Sequence, residues 1–256
     1  MDPIHVFKAD QLNVRIYKDD KEMGKAAAEF TEEVLQNVLQ SKRQANIIIA
    51  TGASQFTFYE ALKELKGIEW GKVTVFHLDE YLGMSDRHPA SFRKYLKERI
   101  LDDVQPGKIH LLNGDAPDPE KEVERYEYLL KEVDIDLACI GIGENGHIAF
   151  NDPPVADFRD PKMVKVVKLD KECRQQQLGE GWFPTLEDVP SHALSLTVPA
   201  IMRSKTISCV VPDKRKSQAV YDTIYKDISV KCPATVLRTH PDCTLFVDKN
   251  AAVQLN

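Results

Sequence analysis

The chain alternates short, nearly continuous apolar runs with stretches whose apolar residues recur at helical spacing, and this alternation restricts the fold more than any other feature. The runs are "NIIIATG" (46–52), "KVTVFHLDEY" (72–81), "DLACIGIG" (136–143), "KTISCVVP" (205–212) and "CTLFVD" (243–248). Strands buried on one face alternate apolar and polar residues, whereas strands covered on both faces read as continuous apolar runs, as in a parallel sheet. Between them, "KEMGKAAAEFTEEVLQNVLQ" repeats Ala26, Phe30, Val34 and Val38 every four residues, the stripe of an amphipathic helix. "SQFTFYEALKELKG" places Phe58, Leu62 and Leu65 on one side, with Ser54 as its expected cap and Gly67 as its stop. "HPASFRKYLKERIL" and "PEKEVERYEYLLKEV" supply two more helices. The expectation is an α/β fold: a Rossmann-like, doubly wound, mostly parallel sheet with helices on both faces.

With 256 residues the chain is expected to form one domain. Residues 155–190 carry Pro161, Pro184 and Pro190 and little periodicity; they read either as a lid segment or as an irregular excursion. The net charge of -6 and the dispersed basic residues offer no footprint for nucleic acid. An anionic ligand would need a local basic pocket. Five scattered cysteines without a C-x-x-C pair suit buried thiols in a reducing compartment, so neither a disulfide framework nor a zinc site is expected. The opening "MDPIHVFKAD" has no apolar core of a signal peptide, and no stretch reaches the length of a membrane span. A cytoplasmic protein without membrane partners is expected.

In a doubly wound sheet, ligands bind where loops leave the carboxyl ends of the strands. Three loops qualify. "TGAS" offers backbone N–H groups at a helix start plus the hydroxyls of Thr51 and Ser54, with Gly52 at the turn; it is either an anion site or an ordinary strand-to-helix turn. "HLDEYLG" places Asp79 beside Glu80. Adjacent residues on an extended chain point opposite ways, so the two acids either divide their roles or are both solvated. "GENGHIAFNDPP" frames His147 with glycines and with Asn145 and Asp152, which could hold its ring. An imidazole there is either a proton carrier or a structural residue. His88, His110, His192 and His240 have no such setting, and no paired-histidine spacing points to a metal.

Taken together, "TGAS", "FHLDEYLG…HPASF" and "GIGENGHIAFNDPP", with the later "ALSLTVPAIMRSKTI" and "PATVLRTHPDCTLFVD", resemble the glucosamine-6-phosphate deaminase family, within a superfamily that includes the 6-phosphogluconolactonases. The resemblance covers nearly the whole chain. It implies conversion of glucosamine 6-phosphate to fructose 6-phosphate and ammonia by aldose–ketose isomerisation, without a metal or other cofactor. It implies further that His147 opens the sugar ring, with Asn145 and Asp152 around it, and that Asp79 moves the proton between C2 and C1. Thr51, Gly52, Ser54, Arg174 and Lys216 would hold the phosphate, while Glu80 and Gly146 belong to the substrate loops. Many members carry aspartate in place of Asn145 and glutamate in place of Asp152, and Gln55 stands where a proline is common. Lys214, Arg215 and Lys216 read alternatively as a solvated helix start.

Two other readings follow from the same residues. One is a hydrolase of sugar-lactone phosphates. The other is a noncatalytic sugar-phosphate sensor, although a first strand expected within about twenty residues leaves no room for a DNA-binding helix pair ahead of it. The partner is a small sugar phosphate, bound by a monomer or a homo-oligomer. "VADFRDPKMVKVV" and the closing "AAVQLN" lack the pattern of the family's allosteric site, Lys162 and Lys165 apart, so hyperbolic kinetics are expected.

Overall fold

The computed structural model describes residues 2–255. Its main sheet has eight strands: β1 (His5–Ala9), β2 (Leu12–Tyr17), β3 (Ala45–Ile49), β4 (Val73–His77), β6 (Lys108–His110), β7 (Leu137–Ile140), β10 (Thr206–Val211) and β11 (Cys243–Asp248). They lie in the order β1-β2-β11-β10-β7-β3-β4-β6. Only β1 and β2 pair antiparallel; every other neighbour is parallel. A second, antiparallel sheet joins β5 (Asp79–Tyr81), β9 (His192–Leu196) and β8 (Val164–Lys168) in the order β5-β9-β8.

The continuous apolar runs are explained by two cores on opposite faces of the main sheet. Ile48, Phe76, Ala138, Ile140, Cys209 and Leu245 pack into one core, and their chain neighbours Ile47, Val75, Leu137, Cys139, Val210 and Phe246 pack into the other. Since alternate strand residues face opposite ways, a strand buried on both sides has few places for a polar residue, and the few it holds, such as Ser208 and Thr244, are themselves buried. Helices α1 (Asp20–Ser41), α2 (Phe56–Glu64) and α3 (Phe92–Leu96) cover one face. Helix α4 (Asp102–Val104) ends the turn that continues α3, and α5 (Pro119–Lys131), α7 (Val198–Met202) and α8 (Ser217–Tyr225) cover the other face, while α6 (Lys171–Gly179) packs near the second sheet.

Three sequence expectations need correction. "KVTVFHLDEY" is two strands, because the chain leaves the main sheet after His77. The Tyr126 hydroxyl sits at that exit, accepting from the His77 N–H (2.8 Å) and reaching the carbonyls of His77 and His110 (3.0 Å each). It satisfies ladder groups that a neighbouring strand would otherwise bond. Ser54 does not cap α2; a short turn over Ala53–Gln55 precedes that helix, and Gln55 donates to the Ser54 hydroxyl (3.1 Å). Residues 155–190 are not irregular throughout, since β8 and α6 lie within them. Lys165 is held there by the Val155 carbonyl and Asp160 (2.8 Å each).

No helix among the described residues is long and apolar enough to cross a membrane. All five cysteines are buried and free.

The approach of α1 to α2 at Gly24 tests this packing. A Cβ on Gly24 of α1 would stand 2.6 Å from the Thr57 carbonyl carbon and 2.8 Å from the Phe58 nitrogen on α2. Alanine raises helix propensity by ~1 kcal/mol, whereas forcing backbones apart costs roughly 1–3 kcal/mol. Because the added Cβ meets backbone rather than a movable side-chain end, the cost lies toward the upper part of that range, and we expect Gly24→Ala to lower stability by a net ~1–2 kcal/mol in urea denaturation. A variant as stable as the parent would mean that α1 and α2 do not meet at Gly24.

Candidate active site

The strand order places the site. The chain runs from β3 outward to β4 and β6, then returns to the other side of β3 with β7, β10 and β11. The reversal lies between β3 and β7, and loops leaving adjacent strands there part to opposite faces, opening a crevice at their carboxyl ends. A cleft of about 450 Å³ occupies this position. It is lined by Thr51, Gly52 and Ser54 after β3, Asp79 after β4, Gly143 and His147 after β7, and Arg215 and Lys216 after β10.

The turn after β3 depends on Gly52, whose φ of +99° is strained for other residues. The Tyr95 hydroxyl donates to the Gly52 carbonyl (2.8 Å) and fixes it from below. Across the cleft, Lys216 ends a turn over Lys214–Lys216 at the start of α8 and is buried. Burial lowers its pKa, with the Glu180 and Glu144 charges acting against that. Arg215 reaches the rim, paired with Asp213 at 2.9 Å and Glu144 at 3.9 Å.

Asp79 and Glu80 part as neighbours in a strand must. Asp79 lines the cleft, and none of the described residues donates a hydrogen bond to its carboxylate. Burial raises its pKa well above the ordinary carboxyl value, and the Glu80 and Asp152 charges add to the rise. Glu80 turns inward and is fully buried. It accepts from the Ser91 hydroxyl (2.8 Å), from the N–H groups of Tyr81 (2.9 Å), Arg93 (3.0 Å) and Phe92 (3.1 Å), and from the Arg93 side chain (3.3 Å). Glu80 is a structural clasp and does not line the cleft.

His147 stands at the cleft with its Nδ1 turned toward protein. That atom lies 2.8 Å from Asn145 Oδ1 and 2.9 Å from Asp152 Oδ1, and Asn145 also donates to Asp152 (2.9 Å). Both neighbours of Nδ1 are acceptors, so Nδ1 carries the proton and Nε2 keeps its lone pair. Burial is the largest influence on the fully buried Asp152 and would raise it, but the His147 hydrogen bond, the charge of that ring when it is protonated, and the hydrogen bonds of Asn145 and Cys173 together hold the carboxyl below its ordinary value. Asn151 ties this loop to β9, donating to the Ile148 and Leu196 carbonyls (2.8 Å each). A Cβ on Gly143 would overlap the His147 ring at 2.1 Å, so only glycine lets the ring lie there. Gly146 is outside the cleft; at a φ of +82° it packs on Cys232.

One expected ligand is misplaced. Arg174 does not reach the cleft: its guanidinium donates to the carbonyls of Leu186 (Nη2, 2.5 Å) and Val189 (Nη2, 2.9 Å, and Nε, 3.2 Å). The cleft side of α6 is instead formed by Gln176 and Gln177, continued by Glu180 beyond the helix; Arg174, one turn before Gln177, is drawn away by the Leu186 and Val189 carbonyls. Sequence reading missed Gln176, Gln177, Glu180 and Arg215, and the acids Asp19, Asp20, Asp213 and Asp248 that also line the cleft. The polar i, i+4 pair 176/180 was the available signal for α6. Nothing in the sequence marks the acids except their position at strand ends.

The family model described as glucosamine-6-phosphate isomerases/6-phosphogluconolactonase matches residues 18–246. A glucosamine-6-phosphate deaminase of Exiguobacterium is 36% identical over 219 residues, 86% of this chain and 84% of that protein. One of Bacillus cereus is 33% identical over 240 residues, 94% of this chain and 88% of the other. Among solved structures, a monomeric glucosamine-6-phosphate deaminase superposes with a TM-score of 0.86 at 32% identity, covering 94% of this chain and 98% of its own. A 6-phosphogluconolactonase of Thermotoga maritima shares the fold, with a TM-score of 0.76 at 20% identity over 93% of this chain and 100% of its own. The matched family model spans both the cleft loops and the strands that carry them, and the chain belongs to the glucosamine-6-phosphate isomerase/6-phosphogluconolactonase family.

Proposed function

We propose that the protein converts glucosamine 6-phosphate and water to fructose 6-phosphate and ammonia. The observation that carries this reading is the shared cleft of Asp79 and His147, the one carboxylate raised by burial and the other ring fixed with Nε2 free. The family relationship and the 33–36% identical deaminases support it.

The phosphate binds between the turn Thr51, Gly52, Ser54 and the Lys216 ammonium, where N–H groups, hydroxyls and one buried cation meet it. His147 Nε2 takes the proton of the anomeric hydroxyl and returns one to the ring oxygen, opening the ring. Asp152 and Asn145 keep Nδ1 protonated, and Asp152 compensates the imidazolium while it lasts. Asp79 then removes the C2 proton; the C–H electron pair forms the C1–C2 double bond while the C1 carbonyl pair moves onto O1, which takes a proton from solvent, and an enolamine results. Returning the Asp79 proton to C1 draws the nitrogen lone pair into a C2–N double bond and leaves an iminium ion; water adds at C2, ammonia departs, and the proton taken from solvent is released. Residues 155–190, which carry Gln176, Gln177 and Glu180 into the cleft, are the segment that would close over the bound sugar and exclude water. Direct assay decides the reaction: ammonia release from glucosamine 6-phosphate is expected, whereas acid release from 6-phosphogluconolactone instead would assign the hydrolase reading.

Asp79→Asn should separate activity from stability. Loss of the base lowers kcat by about 10²–10⁴ with KM little changed. The same change removes a buried carboxyl whose folded pKa is raised. Below about pH 3.9 that carboxyl is protonated folded and unfolded alike and costs nothing. As pH rises, the unfolded chain ionises first, so the wild type loses stability relative to the variant. Urea midpoints for the two proteins should coincide at low pH and separate toward neutral pH, with the variant higher. Near-normal turnover, or a variant less stable at neutral pH, would remove Asp79 from this role.

Lys216→Met tests the phosphate subsite. Charged hydrogen bonds contribute ~1.5–3 kcal/mol, so KM should rise roughly 10–150-fold with kcat much less affected. An unchanged KM would place the phosphate elsewhere.

A further inference from the structure

Cys173 lies beneath the catalytic loop without belonging to the cleft. It is the third residue of α6, buried, with a thiol directed at Asp152. One donor atom each from His147, Asp152 and Cys173 falls within 4.8 Å of the others, and no second such group exists among the described residues. The second carboxylate oxygen, Asp152 Oδ2, is buried and has no N–H or O–H donor; the Cys173 thiol is what faces it. A thiol is a weak donor, so this buried acceptor is poorly satisfied there, beside an imidazole.

We infer that His147, Asp152 and Cys173 form an inhibitory capture site for a thiophilic divalent cation such as zinc or cadmium. A nitrogen, an oxygen and a sulfur are the donors zinc takes, at roughly 2.0–2.3 Å, which sets donors about 3.3–3.7 Å apart in a tetrahedron. The present spacing reaches that with shifts on the order of an ångström, and Asn145 Oδ1, 2.8 Å from His147 Nδ1, is placed for the fourth position. The spacing 147, 152, 173 crosses from the β7 loop to α6, so no motif in the sequence announces it.

Capture has a defined chemical consequence. The Cys173 thiol releases its proton to solvent and binds as thiolate. The metal takes the Nδ1 lone pair of His147, and the proton formerly on Nδ1 reappears on Nε2. Nε2 then becomes a donor and no longer accepts a proton from the substrate. The phosphate turn at Thr51–Ser54 is untouched, so kcat should fall while KM holds. Because a thiol proton must leave, affinity should tighten as pH rises. The capture site depends on side-chain geometry alone, and a different substrate would leave it standing.

The test is cadmium titration of the purified full-length protein, followed by the ultraviolet cadmium–thiolate absorption. Wild type should bind one equivalent with that band. Cys173→Ser, which keeps a hydroxyl at the same place, should lose the band and weaken binding at least ~10-fold; His147→Gln should retain a thiolate band but also bind more weakly. With zinc, wild-type turnover should fall through kcat and return on chelation. In Cys173→Ser the inhibition, normalised to that variant's own rate, should need at least ~10-fold more zinc. Absence of a thiolate band in the wild type, or equal cadmium affinity in wild type and Cys173→Ser, overturns the site.

Discussion

The buried carboxylate of Glu80 is the point on which the cleft depends. It gathers three backbone N–H groups, the Ser91 hydroxyl and the Arg93 guanidinium, and thereby binds the strand leaving the main sheet to the first turn of α3. Arg93 extends the clasp to the Met84 carbonyl (2.6 Å) and to Asp115 (2.9 Å). Burial pushes the Glu80 carboxyl up, and the N–H groups of Arg93 and Phe92, with Ser91, pull it back. Asp79 has the same strand and comparable burial but no donor. Fixing one carboxylate on the inner face forces its neighbour onto the other, since strand side chains alternate. The cleft-facing position of Asp79, whose buried carboxyl is raised for want of a donor, therefore originates in the satisfaction of Glu80.

The remaining parts of the site come from chain order. Parallel strands send all their carboxyl-end loops to one edge, and the reversal beside β3 holds those loops apart. The loop with His147 lies at this gap, braced by Asn151 against β9 and by Gly143, whose missing side chain leaves room for the ring. The second sheet is what turns a common fold into this cleft. By pairing Asp79–Tyr81 with β9 and β9 with β8, it carries α6 over the opening.

Long apolar strands and amphipathic helices were legible because burial on two faces leaves a strong periodic signal. The alternation of Asp79 and Glu80 was legible for the same reason, a strict period of two. The second sheet was not: β5 has three residues, and "VKVVK" in β8 mixes lysines with valines as an antiparallel, half-covered strand does. Arg174 shows a different limit. A basic residue assigned to the phosphate by resemblance is indistinguishable in sequence from one that staples carbonyls, and only the direction its side chain takes from α6, onto Leu186 and Val189, separates them. The family resemblance located Asn145 and Asp152, but a list of replacements did not reveal that Asp152, despite its shorter side chain, reaches Nδ1 directly at 2.9 Å.

That contact bears on how a chain with Asn145 retains charge compensation. An amide beside Nδ1 orients the ring without stabilising an imidazolium, so the charge has to come from elsewhere. Asp152 supplies it, and its carboxyl stays below the ordinary value because His147 itself is the main opposing influence to burial. The pair is mutual: the ring keeps the carboxylate ionised, and the carboxylate keeps the proton on Nδ1. Asn145 completes it by accepting from the His147 backbone N–H (3.0 Å) while donating to Asp152, an arrangement that an aspartate could not make, since a second carboxylate has no N–H to give. Asn145 and Asp152 are thus a matched set, in which the neutral residue supplies geometry and the charged one supplies the field.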